Sequence, residues 1–151
     1  MSKQSSVPVN LRNLIDSTLI PHKAFLRAKE SIEQCFEYSA DATEPSCIAI
    51  PGESRTGKSR SLEEVCSDHQ AYRTDAGLIV PILRVKAPSK PTVKSLAGLL
   101  LKALGDLHYE KGTENARTIR LQTLMRNTHT RMIMIDEFQH FYDKGKHLGK
   151  L

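Results

Sequence analysis

The chain has 151 residues, 39% of them hydrophobic, which suits one ordinary globular domain with a real core. Its 22 Lys and Arg against 17 Asp and Glu give a net charge of +5 and a pI near 9.2, a balance that favours an anionic partner such as a nucleic acid. Cys35, Cys47 and Cys66 are odd in number with no C-x-x-C pair, which argues against a disulfide framework or a zinc knuckle. There is neither an apolar leader nor an apolar run of the ~18–20 residues that a bilayer requires, so a reduced, cytoplasmic chain with no membrane partner is expected.

Residues 1–10 are polar, Ser-rich and interrupted by Pro8, and read as a flexible lead. Residues 11–45 read as a helical segment. Pro21 breaks an early short helix, and Phe25, Ala28, Ile32, Cys35 and Phe36 then recur at helical spacing up to about Tyr38. A loop over 39–45 leads into Cys47–Ile50, a short apolar run expected to be a fully buried strand that opens the core domain, 46–151. A helix starting near Lys58 puts Leu62, Val65, Cys66 and His69 on one face. Residues 77–86 are β-rich but contain Pro81, which predicts an edge strand. Thr92 is placed to cap a helix running to about Leu107, with an apolar stripe of Leu96, Leu99, Leu100, Ala103 and Leu104. A helix over Glu114–Asn127 presents Ile119, Leu121, Leu124 and Met125, and Met132–Ile135 reads as a second buried strand. Strands alternating with helices predict an α/β fold with a parallel sheet.

The chemistry is concentrated at two places. Gly52-Glu53-Ser54-Arg55-Thr56-Gly57-Lys58-Ser59 matches G-x-x-x-x-G-K-[ST] in full and lies between a predicted strand and a predicted helix, where a P-loop must lie. Glycines allow the backbone N–H groups to wrap a phosphate, and the helix N-terminus adds partial positive charge. Lys58 is then the phosphate cation, Ser59 the Mg²⁺ ligand, and Arg60 lies beside them in the first helical turn. Asp136 and Glu137 close the second apolar run, at the strand end where open α/β sheets place ligands. Asp136 is expected to hold Mg²⁺ through water. Glu137 is expected to orient and deprotonate an attacking water, making the reaction ATP hydrolysis. No Asn-Lys-x-Asp string for guanine occurs, so ATP is the expected nucleotide, with Pro21 and His22 as candidate adenine contacts. Neither a kinase lid nor a transporter signature is found.

Four strings carry a family resemblance: Ile-Pro-His (20–22), the P-loop (52–59), Leu-Gly-Asp (104–106) and, most telling, Asp-Glu-Phe-Gln-His-Phe (136–141). In that order they resemble AAA+ ATPases of the TniB/TnsC type, which help transposases choose target DNA. The resemblance implies a P-loop NTPase fold, a three-layer αβα parallel sheet. It also implies ATP-loaded homo-oligomeric rings or filaments on double-stranded DNA, and recruitment of transposase and target-selection proteins. Family members continue past the acidic pair into a sensor strand, an arginine finger and a helical lid. The expectation is therefore a sheet incomplete at the C-terminus, with Cys47–Ile50 unpaired on one side and little or no hydrolysis. The alternative is a truncated, non-hydrolysing remnant that binds nucleotide weakly or interferes with a full-length partner. Lys86, Lys90 and Lys94, around the 77–86 strand, are candidate duplex contacts, as are Lys144, Lys146 and Lys150 near the end.

Overall fold

A computed structural model describes residues 22–52, 56–89 and 91–142. The expectations for the 1–10 lead, the early short helix, Pro21, Glu53, Ser54, Arg55, Lys90 and the lysines after 142 lie outside the described residues. In chain order the elements are α1 (Lys23–Tyr38), α2 (Lys58–Asp68), β1 (Tyr72–Thr74), β2 (Gly77–Ile79), β3 (Ile82–Lys86), α3 (Val93–Ala103), α4 (Glu114–Asn127), β4 (Met132–Asp136) and the single turn α5 (Gln139–Tyr142).

The centre of the fold is a parallel pair, β3 with β4, in register from Ile82 opposite Met132 to Lys86 opposite Asp136. Side chains alternate across a strand, so the two faces of this pair receive different residues. Ile82 and Met134 pack with Ile32 and Phe36 of α1 and Val65 of α2. Leu83 faces the other way, into Ala97, Leu100 and Leu101 of α3 and Leu121 of α4, with Val85 against the same cluster. Helices thus cover both faces of β3, which is why its sequence is apolar at consecutive positions rather than at every second one.

Local signals set the helix bounds. Thr92 accepts from the Ser95 amide and Ser95 Oγ accepts from the Thr92 amide, a reciprocal cap that starts α3. Thr113 Oγ1 accepts from the Ala116 amide and starts α4. The predicted helix to Leu107 ends earlier, at Ala103, because Gly105 takes φ 83° and its N–H bonds back to Lys102. The segment that follows is strapped to α4. Arg120 Nε donates to Asp106 Oδ2 at 2.5 Å, and its Nη2 donates to the His108 carbonyl at 2.7 Å.

The backbone N–H of His108, and then Arg120, hold the Asp106 carboxyl below the usual carboxylate range. A depressed folded value stabilises the fold above the ordinary carboxyl pKa of about 4, and the contribution is lost as pH falls through the folded value. Asp106→Asn is expected to lower the urea midpoint near neutral pH, and its deficit relative to wild type should shrink as pH falls below the ordinary carboxyl range.

Three expectations are corrected. Cys47–Ile50 is not a buried strand: among the described residues it has no ladder partner, and Ile48 is 46% exposed. An apolar run becomes a strand only where a neighbour supplies hydrogen bonds. Residues 77–86 are not one strand, because Pro81 lacks an N–H and divides them. The first half pairs antiparallel with β1 in a hairpin, Tyr72 opposite Ile79, and the second is β3. The second strand is only partly buried, since Met134 is covered while Ile133 is 39% exposed, and in α4 Ile119 faces outward. Mixed α/β architecture is therefore present, with two-stranded sheets rather than one wide parallel sheet among the described residues. No helix among the described residues is long and apolar enough to cross a membrane.

Candidate functional site

Irregular backbone from Ile50 to Gly52 precedes α2, and Gly57 is the residue before its first turn. Gly57 has φ 83°, a left-handed conformation that a side chain would strain. The space at Gly52 is limited in a different way: a Cβ there would lie 3.1 Å from Thr56 Oγ1. Lys58 folds back across this turn. Its Nζ donates to the Gly52 carbonyl at 2.7 Å and lies 3.5 Å from Thr56 Oγ1. A cleft of about 150 Å³ opens here, lined by Phe25, Ala28, Ile50, Gly52, Lys58 and Ser61.

The N-terminus of α2 differs from those of α1, α3 and α4, which His22, Thr92 and Thr113 cap through side-chain acceptors. Among the described residues, no side chain caps α2. Its first turn faces the glycine turn, and the helix dipole there favours an anion. Ser59 is exposed on that turn. Arg60 is turned along the helix, 3.0 Å from Glu64 and 3.5 Å from Glu63. His22 lies against the loop, its Nε2 3.6 Å from where a Cβ on Gly57 would sit. Its Nδ1 accepts from the Phe25 amide at 3.3 Å.

At the far end of β4, Asp136 Oδ1 accepts from the Glu137 amide at 2.9 Å, and Oδ2 accepts from Arg84 Nη2 at 3.4 Å. Arg84 also donates through both terminal nitrogens to Glu63 Oε1 on α2, at 3.2 and 3.3 Å. Lys86 Nζ is 3.9 Å from Glu137 Oε1, and Gln139 Nε2 donates to Glu137 Oε2. Two cations of β3 thus face the two acids that end β4. Glu137 has φ 58°, so the chain leaves the strand abruptly and turns into α5, where Phe138 stacks on Phe141 with ring centroids 5.0 Å apart.

The structure thus gathers Gly52, Thr56, Gly57, Lys58 and His22 at one turn, and joins Asp136 to α2 through Arg84. It leaves Ser59 exposed beside the turn and directs Arg60 away from it. Arg84 and Glu63 were not expected. The available signal was a charged residue inside the apolar run Ile82-Leu83-Arg84-Val85, where only a specific partner makes a guanidinium tolerable.

The family model for the bacterial TniB protein matches residues 11–148, most of the chain and both halves of this site. The chain belongs to the TniB family. It is thus a TniB-type, transposition-associated protein. No curated protein and no solved structure matches it. Within this TniB chain the matched span covers the glycine turn, the arginine bridge and the acidic pair alike.

Proposed function

We propose that this TniB chain binds ATP with Mg²⁺ at the Gly52–Ser59 turn and acts in DNA transposition as a nucleotide-dependent accessory that assembles on target DNA and recruits transposase. The observation that carries the reading is the N-terminus of α2, with no side-chain cap among the described residues, behind a glycine turn with Lys58 folded over it. A polyphosphate fits such a place: the α2 amides and Lys58 are donors, and neither Gly52 nor Gly57 readily accepts a side chain. Ser59 and Asp136 are the oxygen donors suited to Mg²⁺, which when bound neutralises charge on the outer phosphates. Lys58 carries the compensating charge of the protein itself. Glu137 is the residue placed to orient a water and take its proton, and His22 and Pro21 are the candidates beside the base. The basic charge of the chain, with Lys86 and Lys94 exposed, supports a nucleic-acid partner, and family membership supports transposase and a homo-oligomer.

A second reading, binding without turnover, draws on one observation: both Glu137 oxygens have partners, Lys86 and Gln139. A phosphate-release assay on the purified chain separates the two.

ATP binding itself is tested by thermal unfolding with ATP and Mg²⁺. A ligand at one hundred times its Kd stabilises by about 2.7 kcal/mol. For a chain of this length that is a rise of roughly 5–10 °C. ATP at millimolar concentration is expected to give this rise and GTP a smaller one; an unmoved transition with ATP would refute nucleotide binding.

A further inference from the structure

We infer that Arg84 is a positioning residue for this site, holding the strand-end carboxylate of Asp136 at a fixed distance from the helix that carries Lys58 and Ser59. The inference rests on the nucleotide reading above and deepens it. Asp136 belongs to β4 and Ser59 to α2, and nothing in the local sequence fixes one relative to the other. Arg84 spans the gap, with its guanidinium shared between Glu63, one turn beyond Ser59, and Asp136. Strand alternation puts Arg84 on the same face of β3 as Ile82, the face turned to α1 and α2, so the bridge continues the packing below it. The rigid fork of arginine suits this double contact; a lysine ammonium is a single point charge and reproduces only part of it.

Charge alone suggests the opposite role, since a guanidinium beside Asp136 repels a divalent cation. Geometry decides between the two. The same guanidinium is shared with Glu63, so the three groups together remain net negative, at −1, and still attract a cation. Mg²⁺ demands near-ideal octahedral geometry, so slack between donors from two elements, whether they reach the ion directly or through its bound water, would weaken its hold. The bond from the Glu137 amide orients Asp136 on its own strand, whereas among the described residues it is Arg84 that ties it to α2.

The test is the ratio of ATP affinity in Mg²⁺ to ATP affinity in EDTA, measured by calorimetry on the full chain. A general loss of fold or phosphate binding affects both affinities and leaves the ratio unchanged. Arg84→Ala is expected to lower this ratio about tenfold and Arg84→Lys to recover part of it. Glu63→Ala, at a half-buried position on α2, removes the acceptor of both Arg84 bonds without touching the sheet and is expected to lower the ratio in the same direction, which keeps the test alive if Arg84→Ala does not fold. A ratio equal to wild type in Glu63→Ala and in any folded Arg84 variant overturns the inference while leaving nucleotide binding intact, and so does a ratio that rises. A wild type that binds no ATP in either buffer overturns both readings together.

Discussion

Lys58→Ala is expected to remove the ATP-induced rise in melting temperature while shifting the unliganded transition by only a few degrees. Lys58 is half-buried, and among its contacts its ammonium meets the Gly52 carbonyl and Thr56 at the turn. Losing it therefore costs the apo fold little, in the range of about 1 kcal/mol that most non-core substitutions show. The bound state loses much more, because polyphosphate charge would then meet only backbone amides. Truncating one partner of a desolvated charge pair costs about 2–5 kcal/mol, or roughly 30- to several-thousand-fold in Kd. Paired melting curves of wild type and variant with ATP and Mg²⁺ are the measurement. An equal rise in both would move the nucleotide off this turn altogether.

Phe36→Ala should give the largest loss of stability, about 3–5 kcal/mol by urea unfolding. Phe36 is 3% exposed near the C-terminus of α1, with its ring against the His69 ring at 4.2 Å and the Arg131 guanidinium at 4.1 Å from its centroid. Three elements meet at that ring. Arg131 Nη2 also donates to the Phe36 carbonyl at 2.8 Å, and His69 Nε2 lies 2.9 Å from Glu33 Oε2, so both neighbours are oriented by other bonds. Alanine leaves a cavity that these oriented groups cannot collapse into, and the loss is a large part of the ~5–15 kcal/mol that holds a domain together. Phe36→Leu keeps most of the volume but not the ring face, and is expected to fall between the two. A loss below about 1 kcal/mol for alanine would mean that the junction relaxes freely. Phe36 packs at the start of β4 and Asp136 is at its end, so ATP affinity of the folded variant should survive.

What could be read from the sequence follows how far each signal reaches. The start of α2 at Lys58, the cap at Thr92 and the bounds of α4 are local events, set by residues three or four apart, and they were legible. Strands were harder. Cys47–Ile50 has the composition of a buried strand, yet pairing depends on distant backbone, and none is supplied among the described residues. The hairpin of β1 and β2 was missed because Tyr-Arg-Thr shows no apolar alternation; the turn before Gly77 was its only mark. In the candidate site, Lys58 and Asp136 could be singled out from the sequence because their motifs are contiguous. Arg84 was not, because the residue it bridges to on β4 lies 52 positions later and only the β3–β4 register reveals the contact.

The left-handed backbone of Glu137 has a consequence for how the two acids share one side of the sheet. Continued as a strand, the chain would send residue 137 to the face opposite Asp136, toward α3 and α4. Instead it reverses, and the Glu137 carboxylate comes near Lys86, the residue in register with Asp136. For a residue with a side chain this conformation costs roughly 1–2 kcal/mol. Neighbouring carboxylates on one face are therefore a departure from the β geometry that delivers them, and the fold gives up a measurable part of its stability to keep both acids there.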